Sequence, residues 1–145
     1  MKSFKVLLFT IFISLIGCDS SAGTQTNNQK VCPQCNMPLS KDNKYTAYIE
    51  DSNYFDDIGC LILWSKANRI ELDSRNVYVF SNDTQKYINA LTAYYNTNEK
   101  TPMNYGFSAY EKSKEGRISF KEMRLRMLRG EHLANPKIRK KILGY

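Results

Sequence analysis

The stretch "TAYIEDSNYFDDIGCLILWSK", residues 46–66, decides the fold. Residues 45–50 alternate in side-chain character and are rich in β-forming residues, which predicts a strand. The segment at 53–67 begins extended and then becomes helical. Asp57 is the expected N-cap because its side chain can accept hydrogen bonds from the free amides of a first turn. The apolar run at 61–64 predicts that this helix packs against a sheet.

A second stretch, "TAYYNTNEKTPMNYGFSAYEK" at 92–112, repeats the Thr-Ala-Tyr opening and again contains a strand, a polar loop and a second apolar segment. Strands are also predicted at 76–80, over the second half of 87–96, and at 104–110. The following sequence starts like a strand and becomes a basic amphipathic helix, which "NP" (135–136) should break before a last short helix. These elements predict an α+β fold with a small, mainly antiparallel sheet, and the repeat suggests a duplicated β-rich unit.

The N-terminus predicts export and a lipid anchor. Residues 1–17 combine two lysines with an uncharged apolar run, as in a secretory signal peptide. The run is shorter than the roughly 20 residues that span a bilayer. It ends in "LIGC", which resembles a bacterial lipobox and implies cleavage before Cys18 and diacylglycerol addition to its sulfur. Asp19 resembles a signal for inner-membrane retention. The expected location is the outer (periplasmic) face of the bacterial inner membrane.

The rest of the chain divides by composition and charge. Residues 18–30 form a polar, flexible tether, residues 31–120 are expected to form one domain, and residues 121–145 are a basic helical extension. The whole chain has a formal net charge of +7. The extension has eight Lys/Arg against two Glu, whereas residues 18–120 have eleven against twelve Asp/Glu. The extension is therefore a candidate contact for anionic lipid or an acidic partner, and a solvated helical face is the alternative. Outside the cytoplasm, nucleic acid is not an expected partner.

The stretch "VCPQCNMPL", residues 31–39, concentrates the sulfur chemistry. If Cys18 is acylated, three thiols remain: Cys32, Cys35 and Cys60. Oxidising compartments favour a disulfide between the first two. A thioredoxin-like redox pair would open a helix in a βαβ unit, but no such unit follows, and the second proline of the stretch argues against an immediate helix.

Metal binding is the other use of these sulfurs. Structural zinc needs four ligands, and the chain adds only His132, which we expect to face solvent on a helix. Cu(I) suits thiolate and thioether ligands, and in an extended segment Cys35 and Met37 would share a face. Cys60 would be the third residue of its helix, where the N-terminus stabilises a thiolate, although it could equally be a small buried hydrophobe. Met103 lies in a loop after a proline, so it is a further candidate thioether.

Five pieces in this order, "LIGC", "CPQCNM", "FDDIGCLILW", "YINALTAYYN" and "TPMNYGFSAY", resemble the NosL family. That family consists of bacterial lipoproteins linked to assembly of the copper sites of nitrous oxide reductase. The resemblance covers about residues 30–111 and the anchor, while 121–145 lie outside it. It implies a pair of ββαβ-type units and a non-enzymatic Cu(I) metallochaperone. The implied partners are a copper-enzyme client, with nitrous oxide reductase as the first candidate, and its membrane transporter assembly.

The resemblance also implies site residues. Cys35 and Met37 match the family's Cys-x-Met, Met103 matches the methionine of a later loop, and Cys60 matches the cysteine of "FDDIGC". Cys32 lies in the more variable part of the motif, so it is a third ligand, a redox partner or a bystander. Two alternative functions remain open at this stage: a thiol–disulfide oxidoreductase, and a structural lipoprotein of a membrane assembly with inert sulfurs.

Overall fold

The computed structural model describes residues 30–144. The predicted signal peptide, Cys18 and the tether up to residue 29 lie outside these residues. The first half of the described chain forms β1 (Ala47–Ile49), β2 (Tyr54–Phe55), α1 (Ile58–Ala67), a 3₁₀ turn (Leu72–Ser74), β3 (Val77–Phe80) and β4 (Tyr87–Asn89). The second half forms β5 (Tyr94–Asn96), β6 (Ser108–Tyr110), β7 (Ile118–Ser119), α2 (Phe120–Arg129) and α3 (Pro136–Leu143).

The first half folds into a four-stranded sheet in the order β2-β1-β3-β4, with every neighbouring pair antiparallel. Alternation along β1 buries Ala47 and Ile49, while Tyr48 stacks on Tyr54 and Tyr78 with ring centroids 4.7 and 5.0 Å apart. The helix α1 packs against β1 and β2. The sheet therefore supports the N-terminal end of α1, which follows β2 directly.

The second half forms a separate three-stranded sheet in the order β6-β5-β7, also antiparallel. The repeated Thr-Ala-Tyr leads into β1 and into β5, and each is a strand with an antiparallel neighbour on both sides. The α+β class is thus confirmed, and the first half follows the order ββαβ. The second half does not follow this order, because its three strands β5, β6 and β7 all precede α2.

Some element boundaries differ from the sequence prediction, and the strand predicted at 104–110 is confined to β6. The segment at 87–96 is extended in its first half as well, because β4 pairs with β3. The helix α2 ends at Gly130, whose φ of 72° lies in the left-handed region that terminates helices. The "NP" pair does not break α2. Its Asn135 caps α3, accepting a hydrogen bond from the Lys137 amide.

The core lies between the sheets and the two longer helices. Helix α1 packs on α2, and α2 buries Phe120, Met123 and Met127. A bridge between Ser81 and Ala109 links the two sheets. Among residues 30–144, no helix has the length and apolar character needed to cross a membrane.

Candidate metal centre

The start of α1 is fixed by its cap. Asp57 accepts a hydrogen bond from the Gly59 amide at 2.8 Å, and α1 begins at Ile58, so Cys60 is its third residue as predicted. The other carboxylate oxygen of Asp57 accepts from the Met103 amide at 3.4 Å. The loop that carries Met103 is therefore tied to the first turn of α1.

Residues 31–39 form a closed loop. The Cys32 amide donates to the Met37 carbonyl at 2.9 Å, and the Asn36 amide donates to the Cys32 carbonyl at 2.8 Å. A bridge between Val31 and Pro38 closes the loop. The hydrogen bonds turn the chain back on itself, which brings Cys32 and Cys35 to the same side chain cluster.

This loop corrects the expectation of an extended segment. Asn36 has a φ of 59°, so the backbone between Cys35 and Met37 is left-handed and strand alternation does not apply there. Met37 is 42% exposed, whereas Cys35 is half-buried. Strand alternation therefore no longer supports a copper ion shared by the sulfurs of Cys35 and Met37, and such sharing stays a prediction.

Four side chains converge at the N-terminal end of α1. The sulfurs of Cys32, Cys35 and Cys60 and a carboxylate oxygen of Asp56 all lie within 4.8 Å of one another. All three cysteines of the described residues are free thiols, so the Cys32–Cys35 disulfide that was one of the alternatives is not formed. Donors around one ion at about 2.3 Å would be roughly 4 Å apart, so these four need only small side-chain rotations to share a metal.

The three thiols of the cluster differ in acidity. A hydrogen bond from Cys60 lowers the pKa of Cys32 to about 6, although burial opposes the shift. The same bond, together with burial, raises the pKa of Cys60. The lower pKa therefore belongs to Cys32, and of the two possibilities left open for Cys60, a thiolate at the helix N-terminus is the disfavoured one.

Burial and a carboxylate neighbour keep the third thiol protonated. Burial, together with hydrogen bonding to its neighbours, raises the pKa of Cys35 to about 11. Its S–H donates to the two carboxylate oxygens of Asp56 at 3.3 and 3.4 Å. Cys32 is thus the most acidic thiol of the cluster, while Cys35 and Cys60 are S–H donors.

Tyr105 covers the first turn of α1. Its ring lies so close to Gly59 that a Cβ there would overlap it. Burial raises the pKa of Tyr105 to about 12, and the nearby thiols and carboxylates, including that of Asp57, act in the same direction. Met103, two residues before Tyr105, is partly buried against the core.

His132 is not the solvent-facing helix residue that we expected. It lies between α2 and α3, half-buried, with its ring edge-on to Tyr105 at a centroid distance of 5.0 Å. The neighbouring Leu133 is buried and donates its amide to the Tyr105 carbonyl at 3.1 Å, which draws the segment inward. His132 is not among the four clustered donors.

Asp56 is the site residue that sequence reasoning missed. Two adjacent aspartates precede α1, and only one can cap it. The cap uses Asp57, which leaves Asp56, only 1% exposed, free to face the thiols. This fourth donor removes the objection that a zinc site would lack ligands, so the cluster shows a candidate metal site whose metal the donor set does not decide.

No family model, curated protein or solved structure matched the chain.

Proposed function

We propose that this protein is a membrane-anchored Cu(I) metallochaperone that delivers copper to an extracytoplasmic copper enzyme. The observation that carries the proposal is the convergence of three free thiols at one site, because soft thiolate ligands suit Cu(I), and the family resemblance favours Cu(I) over zinc. The resemblance to the NosL family supports nitrous oxide reductase as the client. The resemblance also supports the anchor at Cys18, the periplasmic face of the inner membrane, and a role without catalysis.

Unequal burial of the ligands suggests how copper is handed on. Cys32 and Cys60 are fully buried, whereas Cys35 is half-buried and therefore the most accessible of the three. An acceptor ligand would approach from the Cys35 side and bind before Cys35 releases the ion. Transfer by such ligand exchange never frees copper. Loading must displace the S–H protons, and Asp56 is placed to receive the proton of Cys35.

The two methionines are candidate thioether ligands on this path. Met37 is exposed two residues after Cys35, and Met103 is held beside α1 through Asp57. A thioether has no proton to lose, so it can bind Cu(I) without the penalty that a thiol pays. In this proposal the buried thiols hold the ion, and one or both thioethers assist its entry or exit.

A competition titration tests the site. Reduced protein is titrated with Cu(I) against a chromophoric Cu(I) chelator without oxygen, and with Zn²⁺ against a zinc chelator. Cys32→Ser, Cys35→Ser and Cys60→Ser should each weaken Cu(I) binding at least tenfold, on the order of the loss expected even for supporting groups. Undiminished Cu(I) affinity in all three variants would refute the copper site, and a clear preference for Zn²⁺ would refute the choice of metal.

The methionines need their own comparison. Met37→Leu and Met103→Leu are each expected to lower Cu(I) affinity or to slow transfer to an acceptor chelator. Met127→Leu is the matched control, since this methionine is buried in α2 as part of the core. If the first two variants behave like the control in both measurements, the methionines have no part in copper handling.

Thiol–disulfide exchange is the second candidate function, because the acidic Cys32 lies beside two further thiols. A low thiol pKa increases the thiolate available for attack on a disulfide. Exchange with a model disulfide should then disappear in Cys32→Ser. If that variant loses exchange but keeps Cu(I) affinity, the oxidoreductase is the better description.

A further inference from the structure

The helix α2 exposes leucines among cations on the side away from the core. Leu125 and Leu128 are each 38% exposed. They line a groove of about 470 Å³ together with Phe120, Lys121, Arg124 and one acidic residue, Asp73, which pairs with Arg124. Exposed leucines bordered by basic side chains are the pattern of a helix that lies at a membrane interface.

The short helix α3 repeats this pattern and buries none of its own residues. Leu143 is 41% exposed, and Ile138 and Ile142 are half-buried. The preceding segment holds α3 in position, because Leu133 is buried and the Asn135 side chain donates to the Gly130 carbonyl at 3.0 Å. Ile138 and Ile142 line a groove with Glu122 and Arg126 of α2, so Leu143 is the apolar side chain that α3 presents to solvent.

Most of the positive charge on these helices is uncompensated. Residues 121–145 have eight Lys/Arg and two Glu. Within residues 30–144, the ion pairs of these cations are Arg126 with Glu122 and Arg124 with Asp73. Lysine side chains at 121, 137, 140 and 141 are all exposed. Such a surface matches the negative potential of an anionic leaflet.

We propose that the exposed sides of α2 and α3 rest on an anionic lipid surface. The lysines would meet phosphate headgroups, and Leu125, Leu128 and Leu143 would enter the boundary between headgroups and acyl chains. This contact concerns residues outside the copper site and does not depend on metal binding. It would orient the domain on the membrane, which an anchor on a flexible tether cannot do.

Flotation with lipid vesicles tests the proposal on the full chain. One set of vesicles is pure phosphatidylcholine, and the other contains about one-third phosphatidylglycerol to supply the anionic surface. The N-terminal segment binds both sets through its apolar run, and its two lysines are the same in every variant. The informative quantity is therefore how the ratio of the two affinities changes from the parent to each variant. The parent chain should bind anionic vesicles at least tenfold more tightly at low salt, and the ratio should fall as salt screens the charges.

Matched variants locate the contact. The test variant combines Lys137→Gln, Lys140→Gln and Lys141→Gln. The control variant removes the same charge from exposed lysines outside both helices by combining Lys41→Gln, Lys100→Gln and Lys114→Gln. The test variant should lose most of the preference for anionic vesicles, and the control should keep it. A third variant, Leu125→Gln with Leu128→Gln, should bind anionic vesicles several-fold more weakly than the parent.

Three results would overturn the proposal. Equal binding of the parent to both vesicles would show that the basic helices have no lipid role, as expected if they serve an acidic protein. Equal losses in the test and control variants would show that net charge alone is responsible. Unaltered binding of the leucine variant would exclude insertion. Thermal melts confirm that each variant is folded. The Cu(I) affinity of each variant should be unchanged, so a failure of the lipid proposal can be told apart from a failure of the copper proposal.

Discussion

At the scale of single residues, Gly59 is needed for close packing at the metal centre. Glycine inside a helix usually costs about 1 kcal/mol relative to alanine, so Gly59→Ala would ordinarily be stabilising. Here a Cβ would overlap the Tyr105 ring. We therefore predict that Gly59→Ala lowers the free energy of unfolding by about 1–3 kcal/mol, the usual cost of overpacking, as measured by urea denaturation.

A double-mutant cycle isolates the contact responsible. Tyr105→Ala removes the ring that the new methyl group would meet, so the double variant should recover part of the loss caused by Gly59→Ala. The coupling free energy should be on the order of 1 kcal/mol or more, as for residues in direct contact. Additive effects of the two substitutions would contradict the packing explanation.

Asp57 is a second residue on which the site depends. It caps α1 and also accepts from the Met103 amide. Asp57→Ala should lower the free energy of unfolding by about 1–2 kcal/mol through the lost cap. Its distinguishing effect is faster hydrogen exchange at Met103. Ser119→Ala, which removes the cap of α2, should cost similar stability and leave exchange at Met103 unchanged, and equal acceleration in both variants would refute the link.

At the scale of elements, the loop at 31–39 depends on one left-handed residue. Asn36 has a φ of 59°, which glycine tolerates and which costs most residues about 1–2 kcal/mol. Asn36→Gly should therefore be nearly neutral. Asn36→Ala should lower the free energy of unfolding by roughly 1 kcal/mol and weaken metal binding, because the loop aims Cys32 and Cys35 at the site.

Asn43 supplies the matched control for this loop. It has a similar φ of 58° but lies outside the four-donor cluster. Asn43→Ala should reduce stability by a comparable amount and leave metal affinity unchanged. If both alanine variants alter metal affinity equally, general destabilisation is the cause, and the special role assigned to the loop is wrong.

Elements set by local chemistry could be predicted from the sequence. Asp57 as the cap and Cys60 as the third residue of α1 follow from a short stretch whose hydrogen bonds are mostly its own. The turn at Asn36 could not be predicted this way, because a bridge between Val31 and Pro38 and the packing of the loop enforce it. Asp56 was missed because its role depends on which of two adjacent aspartates takes the cap.

At the scale of the whole molecule, Asp83 joins the two halves of the domain. It lies in the turn after β3 and accepts hydrogen bonds from the amides of Glu111 and Lys112, which follow β6, at 2.9 and 3.1 Å. Ser81 also donates to it. Burial opposes ionisation, but these hydrogen bonds outweigh it and lower the pKa of Asp83 to about 2.

This shift predicts how stability changes in acid. The folded-state pKa of Asp83 lies below the ordinary value of 3.8, so the unfolded chain binds the proton more readily. The stabilising contribution is therefore complete above about pH 4 and is lost as the pH falls through about 2. Because the side chain is partly open to solvent, we expect a contribution on the order of 1 kcal/mol.

Asp83→Asn tests the link between the halves. The variant should unfold more easily than the parent near neutral pH, and the difference between the two should shrink as the pH falls from about 4 to about 2. Urea denaturation across this range measures it. Asp73→Asn is the control, because Asp73 is 75% exposed and has only a distant ion pair with Arg124 at 3.7 Å. If the difference between Asp83→Asn and the parent stays constant with pH, the hydrogen bonds do not depend on the charge of Asp83. If the difference shrinks in acid for Asp83→Asn but not for the control, the ionised carboxylate of Asp83 is the group that links the two sheets.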